Sequence, residues 1–434
     1  SLWLALILQS LISSAVTYRR PVSGGKRQSF LERTLILLDV NTRSPVKVLN
    51  DNFLSLQLDP SIIKDGWLDF LSSKRLVTLA RGLSPAYLRF GGKRTDFLQF
   101  HNLKNLAKFR GPGPDYYLKN YEDEPNSYRI MAARSVNSSR LAQDYTLLKT
   151  LLQSVRFYSR ANLYGPNIGR PRKNAILLLD GFMKNGGSVV DAVTWQHYYI
   201  DRRVTKVEDF MKTRLLDTLS EQITKVLKIV QTHAPEKHVW LGGVGPAWAG
   251  GTNNLSDTFS AGFLWLNTLG IAAAHGIDVV LRHSFFDYGY NHLVDQNFNP
   301  LPDYWVSLLF KHLVGPVLAV HLGGLQRKPR PGRVIRDKLR IYAHCTSFHK
   351  IRGFTGLKHK SGEAEEQKGT GQWVHTHLVL MKSVQLNGEP LRMVDNETFP
   401  ELKPRTLRAG RTIAMPPVSI GFYVIKNINA YACR

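Results

Sequence analysis

Apolar and polar positions follow two different rhythms along this chain. Up to about residue 314, short apolar runs of strand length alternate with longer stretches of helical spacing. Six runs have the character of barrel strands: 53–58, 86–90, 161–164, 189–195, 238–241 and 277–281. Helical spacing fills 67–80, 175–182, 207–230 and 258–275, and 304–314 closes the series. Repeated strand–helix alternation predicts a parallel sheet, most economically a TIM (β/α)8-type barrel. Such a barrel closes with eight strands. Six predict that two strand–helix units are lacking, near residue 123.

After Val314 the rhythm changes. Val317–His321, Leu339–His344, His377–Met381 and Val418–Ile425 are short strand-like runs with no helices between them, which predicts a small all-β domain. Residues 101–123 are basic and loop-like around Gly111-Pro112-Gly113-Pro114. Residues 347–375 are polar, Lys- and Gly-rich, and read as an irregular, disordered insert. The expected organisation is a leader over 1–34, an incomplete barrel over 35–314, and a β domain over 315–434.

Composition adds a charge argument. The 434 residues are 43% hydrophobic, enough for one large core and a smaller one. Lys plus Arg number 58 against 33 Asp plus Glu, a formal +25. That excess favours a polyanionic partner: nucleic acid, acidic membrane or sulfated polysaccharide. Leu2-Trp3-Leu4-Ala5-Leu6-Ile7-Leu8, with small residues after it, reads as a secretory h-region too short to span a bilayer. Its bland alternative is a buried strand or helix end. Asn137, Asn254 and Asn396 head glycosylation triplets, which fit export. Cys345 and Cys433 form either one disulfide closing a long loop or a pair of buried thiols. No metal-ligand spacing and no phosphate-cradling glycine loop occurs, so no cofactor is expected.

Three stretches resemble the heparanases, retaining endo-glucuronidases acting on heparan sulfate. They are Leu79 to Gly92 (LARGLSPAYLRFGG), Val193 to Tyr199 (VTWQHYY), and Leu293-Val294-Asp295 through Pro302-Asp303-Tyr304-Trp305. Asp65-Gly66-Trp67, Gly169 to Asn174 and Gln326 to Arg333 look most like the family's paralogue regarded as lacking hydrolase activity. The resemblance covers residues 35–122, 124–345 and 382–434. It implies a TIM barrel with a C-terminal β-sandwich, and a disulfide between Cys345 and Cys433.

It also implies where catalytic groups belong. A retaining glycosidase needs two carboxyl groups, one as acid/base and one as nucleophile. Glu124 matches the acid/base of the family's Asn-Glu-Pro motif, but Asp123 stands in place of the Asn. The nucleophile position falls in Trp240-Leu241-Gly242-Gly243, where active heparanases carry Glu after Leu-Gly. Gly243 can neither attack an anomeric carbon nor stabilise an oxocarbenium ion by charge. Glu236 lies seven residues earlier, roughly 20 Å along an extended strand and at the wrong barrel end.

Other strand-end residues are expected to line a sugar cleft: Asp59, Arg89, Lys93, Arg94, His197, Tyr199, Arg282 and His283. Their bland reading is barrel-top packing and internal ion pairing. Arg170, Arg172 and Lys173 open a helix after a barrel strand, a setting suited to sulfate, and they coincide with a heparin-binding segment of the family. Lys328, Arg330 and Arg333 form a second basic run. The expectation is a secreted, heparan sulfate- and heparin-binding protein of proteoglycan surfaces, without hydrolase activity, competing with active heparanase for shared substrate. The alternative is a retaining endo-β-glucuronidase. Nucleic-acid binding ranks last, because no recognition motif is present.

Overall fold

The computed structural model describes residues 2–10, 37–60, 62, 72–92, 137–200, 206–287, 289–315, 317–318, 320–323, 339–347, 368–375, 380–408, 413, 415, 418–426, 428 and 430–434. Sixteen strands occur among them. Leu2–Ser10 is β1 and Leu37–Val40 is β2. Six strands then form one parallel sheet: β3 (Leu54–Leu58), β4 (Leu88–Phe90), β5 (Tyr164–Ile168), β6 (Ala192–Ile200), β7 (His238–Ala247) and β8 (Val279–His283). Their order is β4-β3-β8-β7-β6-β5, so β4 and β5 are its edges among the described residues. The chain order of a barrel is retained, with β8 beside β3 in register from Leu54↔Val280 to Gln57↔His283.

The inner strands read as apolar runs because both faces are covered, as parallel sheets require, whereas the edge strand β4 leaves Leu88 and Phe90 exposed. Every residue of β3 and β8 is buried. The helix Thr213–His233 buries Leu216, Leu219, Ile223, Val226 and Val230 on one stripe and leaves a polar face outward. The helix Phe259–Ala274 is buried on every side. It lies between the parallel sheet and the C-terminal strands: Tyr342 donates to Asn267 Oδ1 at 2.9 Å, and Asn267 Nδ2 donates to the Tyr199 hydroxyl at 2.9 Å. The helix Pro302–Leu313 begins with the fixed φ of Pro302 and carries Asp303 in its first turn.

One helix escapes the sequence reading. Ser138–Ser154 is helical, and Asn137 caps it by accepting from the backbone of Ser139 and Arg140 at 2.8 and 3.3 Å. Only Ala142 is buried along it, against Gly186 of the helix Lys173–Gly186. Weak amphipathicity hid it; the Asn-Ser-Ser cap was its sequence signal.

The remaining strands are β9 (Val317–Leu318), β10 (Val320–Gly323), β11 (Leu339–Ser347), β12 (Lys368–His375), β13 (Gln385–Leu386), β14 (Glu389–Pro390), β15 (Arg405–Arg408) and β16 (Ser419–Ile425). No helix longer than the short 3-10 turn Tyr431–Cys433 lies among these strands in the described residues. Eight strands, β1 included, join in one antiparallel sheet, and β2 pairs with β10 in a separate ribbon. The residues read as a signal-like segment supply β1, which lies between β11 and β16 from Leu4↔Cys345 and Leu4↔Ile425 onward. The strand alternative is therefore the one this structure adopts. Within the insert expected to be disordered over 347–375, Ser347 ends β11 and Lys368–His375 is a strand that pairs with β15 and β16; 348–367 lie outside the described residues. The strand expected at 377–381 falls mostly outside the described residues; Leu380 and Met381, which are described, are not in a strand. Cys345 and Cys433 are disulfide-bonded with Cα atoms 5.3 Å apart.

Candidate functional site

Strands of the parallel sheet deliver residues to one end, their C-terminal end, where barrel enzymes place their chemistry. Gln57 arrives on β3, Arg89 on β4, Gln196 and Tyr198 on β6, and His283 on β8. With Gly92, Trp248 and Ala249 from the following loops, they line a cavity of about 220 Å³. A larger cavity of about 730 Å³ lies between the helix Lys74–Gly82 and residues 397–402. It shares no lining residue with the strand-end cavity, and convergence rather than size selects the smaller one.

Gly243 sits in β7 beside this cavity. A Cβ built there would lie 3.3 Å from Arg89 Nη1, 3.3 Å from Gln57 Oε1 and 3.5 Å from Gln196 Cγ. Residue 243 thus faces the lining residues, and a longer side chain at this position would enter the site. Glycine brings no functional group to it. Glu236, on the turn before β7, is ion-paired with Lys237 at 3.6 Å.

Arg89 organises the floor. Its Nη1 donates to Gln57 Oε1 at 3.2 Å and to the Gly242 carbonyl. Gln57 in turn donates to the Gly91 carbonyl at 2.7 Å. Burial lowers the guanidinium below its ordinary pKa, with Tyr198 and Asp59 opposing, and arginine keeps its charge through such shifts.

His283 is buried, with Nδ1 2.9 Å from the Tyr198 hydroxyl and Nε2 3.8 Å from Asp59 Oδ2. Burial, joined by the charges of Arg89 and Arg282, drives it down to about 3. It is neutral at physiological pH. Asp59 is fully buried beneath the loop after β4. A Cβ on Gly92 would fall 1.7 Å from Asp59 Oδ2, so this loop closes over the carboxylate only because residue 92 is glycine.

The expected cleft residues divide. Arg89 and His283 line the cavity, and Asp59 lies just below it. His197 and Tyr199 do not line it. They point to the other face of β6, where His197 Nδ1 meets Gln222 Oε1 at 2.8 Å and its ring packs edge-on against Tyr199 at 4.4 Å. Burial holds His197 at about 3, despite the Gln222 hydrogen bond. Side chains on a strand alternate faces, so a one-residue error in phase exchanges core for cavity. Gln196 and Tyr198 are the β6 residues that line the cavity.

Arg282 is also internal. It is ion-paired with Asp303 at 2.7 Å, donates to the Asn291 carbonyl at 2.7 Å, and lies 5.3 Å from the Trp265 ring centre. Its role is the bland one, tying β8 to the helix Pro302–Leu313. Trp248 was missed because it follows β7 in a glycine-rich loop, without strand or helix pattern.

Arg170, Arg172 and Lys173 stand together after β5, with Arg172 as N-cap of the helix Lys173–Gly186. Burial lowers Arg170 and the neighbouring Arg172 charge adds to it. Arg172 and Lys173 are exposed, as are Asn137, Asn254 and Asn396. Glu124, Lys93, Arg94, Lys328, Arg330 and Arg333 lie outside the described residues. Among the described residues no group of three or more His, Cys, Asp or Glu could hold a metal ion.

Known proteins resemble this arrangement. A family model, Glycosyl hydrolase family 79, N-terminal domain, matches residues 113–270. Inactive heparanase-2 of Homo sapiens is 54% identical over 565 residues, spanning 100% of this chain and 95% of that protein. Heparanase of Mus musculus is 35% identical over 514 residues, spanning 91% of this chain and 94% of that protein. Among solved structures, a 4-O-α-L-rhamnosyl-β-D-glucuronidase from Fusarium oxysporum superposes with TM-score 0.53 at 12% identity, covering 88% of this chain and 97% of its own. A family 51 α-L-arabinofuranosidase from Bifidobacterium longum gives TM-score 0.54 at 9% identity, covering 90% and 100%. At such identities the structures speak to the fold alone, a TIM-barrel-like glycoside hydrolase fold.

Proposed function

This chain belongs to the heparanase family, and from that premise we propose that it binds heparan sulfate without hydrolysing it. One observation carries the proposal. Residue 243 faces the Arg89–Gln57 floor of the strand-end cavity, and it is glycine. Double displacement at an anomeric carbon needs a carboxylate there, and a single acid elsewhere cannot replace it. The relatedness to Inactive heparanase-2 supports the same reading.

Binding is argued from charge. The formal +25 concentrates locally at Arg170, Arg172 and Lys173, beside a helix N-terminus that offers further positive potential to sulfate. Lys328, Arg330 and Arg333 form the second run. We extend the proposal to a secreted glycoprotein of the cell surface or matrix, meeting proteoglycans and competing with active heparanase for their chains. The disulfide and three exposed sequons support that setting. We also propose that two strand–helix units of the barrel are lacking. An alignment of 565 positions against 434 residues leaves at least 131 positions without a counterpart here, and β4 and β5 are the edges such a loss would create.

The test has two readouts. The full chain is expected to be retained on immobilised heparin and eluted by salt, since surface electrostatics are screened within about 8 Å at physiological ionic strength. Heparan sulfate incubated with it is expected to keep its size on gel filtration. Shortened chains sink the non-hydrolytic reading; retention indifferent to molar salt sinks the electrostatic one.

A further inference from the structure

An apolar tip stands at the end of the parallel sheet opposite the cavity. The chain leaves the helix Ser138–Ser154 and turns twice before β5. The Tyr158 amide donates to the Val155 carbonyl at 2.8 Å, and the Ala161 amide to the Tyr158 carbonyl at 2.9 Å. On these turns Phe157 is 86% exposed, with Val155 and Tyr158 exposed on either side. The rings of Phe157 and Tyr158 meet edge-on at 5.1 Å. Leu147 and Leu151, one helical turn apart on the same face, extend the apolar surface along the preceding helix at 60% and 55% exposure. Exposed apolar residues scattered singly are ordinary, but a cluster of them marks a contact surface.

Charge narrows the choice of partner. Arg156 and Arg160 flank the rings and are exposed, and among the described residues neither guanidinium has a hydrogen bond or ion pair. Acids at this end of the sheet are already engaged. Asp191, Glu236 and Asp278, on the turns before β6, β7 and β8, pair with Lys149, Lys237 and Lys47. Between Tyr145 and Val190 the one acid is Asp180, which meets His233 at 2.9 Å. The tip is therefore apolar and cationic together. A sulfated sugar chain has no apolar layer to receive Phe157 and Leu151. A second copy would set arginine against arginine, in a chain of formal +25. A phospholipid surface offers both complements, with phosphates above and acyl chains beneath.

We infer that this tip docks the protein on a phospholipid bilayer, with Phe157 and Tyr158 entering the headgroup–acyl boundary and Arg156 and Arg160 on the phosphates. The tip precedes β5, whereas Arg170, Arg172 and Lys173 follow the other end of that strand. Docking therefore leaves the basic cluster and the strand-end cavity at the opposite end of the sheet, and membrane binding and heparin retention can fail independently.

Sedimentation of the full chain with lipid vesicles tests this, with phosphatidylcholine alone in one arm and phosphatidylcholine with phosphatidylserine in the other. The chain is expected to sediment with the mixed vesicles, and more than with phosphatidylcholine alone. Phe157→Ser with Tyr158→Ser is expected to weaken that binding about tenfold or more, the scale of withdrawing a large apolar side chain from an apolar setting, and to leave heparin retention unchanged. Circular dichroism establishes that the variant is folded. Independently, Phe157→Cys carrying an environment-sensitive dye is expected to shift its emission to the blue on mixed vesicles. A chain left in solution by both kinds of vesicle overturns the inference. So do unchanged sedimentation of the folded serine variant, an unshifted dye, and a dimer in solution that the serine variant dissociates.

Discussion

Arg89 and Gly243 face each other across the floor of the strand-end cavity, with the guanidinium 3.3 Å from where a side chain of residue 243 would begin. Arg89 also holds the backbone one residue earlier, at Gly242. The same arginine therefore shapes the end of β7 and faces the site. Replacing it with leucine leaves the Gly242 carbonyl and Gln57 Oε1 without this donor. A loss of about 1–3 kcal/mol is expected for such buried groups, read from urea unfolding. An unchanged midpoint would remove Arg89 from the structural account.

Gly92 admits no side chain. A methyl group there would overlap Asp59 Oδ2, at 1.7 Å, and Asp59 is fully buried. Gly92→Ala is expected to cost about 1–3 kcal/mol or more, the range for overpacking a tight interior. Gly276→Ala, where a Cβ meets nothing within 4 Å but φ is +79°, is the comparison for backbone strain without a clash. Thermal unfolding of the two variants separates these effects.

Arg282 and Asp303 form a buried pair, 0% and 4% exposed in their side chains. Arg282→Met strands the carboxylate and is expected to cost about 3–5 kcal/mol. Adding Asp303→Leu removes the stranded charge and should recover part of that loss. A double variant as unstable as the sum of both single changes would contradict the coupling.

Acid should destabilise the fold through its buried histidines. Burial lowers His197 and His283 to about 3, and His292 and His344 to about 4, against an ordinary value of 6.5. Nearby groups differ in sign: Gln222 opposes the shift at His197, Arg89 and Arg282 reinforce it at His283, and Asp257 and Asp295 oppose it at His292. The unfolded chain takes up protons below 6.5 and the native one does not. Stability is thus fully present above 6.5 and is lost as pH falls towards 4 and then 3. Each group contributes about 1.4 kcal/mol per pH unit within its window. The urea midpoint is expected to fall clearly from pH 7 to pH 5, and a flat profile would contradict it.

The disulfide should matter more than a local staple. It joins residues 88 apart in sequence, and closing so long a loop restricts the unfolded chain by roughly 4–5 kcal/mol in the chain-entropy account. Cys345→Ser with Cys433→Ser is expected to lower the melting temperature by many degrees, and reduction of the unaltered chain should match it.

Much was legible in the residues themselves. The strand–helix alternation up to Val314 located five strands of the parallel sheet and touched the sixth, β5, only at Tyr164, because inner strands covered on both faces leave near-continuous apolar runs. Through the heparanase resemblance, the glycine at 243 was visible as a missing carboxylate. The heparanase resemblance implied the Cys345–Cys433 bond that the structure contains. Tertiary structure decided the rest. Whether His197 or Tyr198 reaches the cavity depends on which face of β6 meets the helices, and a period of two permits either phase. Whether Arg282 serves the site or the core depended on Asp303, twenty-one residues later and on another element. Leu2–Ser10 carries an apolar run that reads first as a leader, and its pairing with β11 and β16 as a strand came only from the tertiary structure. Local pattern specifies which elements form. The partners that bury a face or neutralise a charge come from distant parts of the chain, and folding alone brings them together.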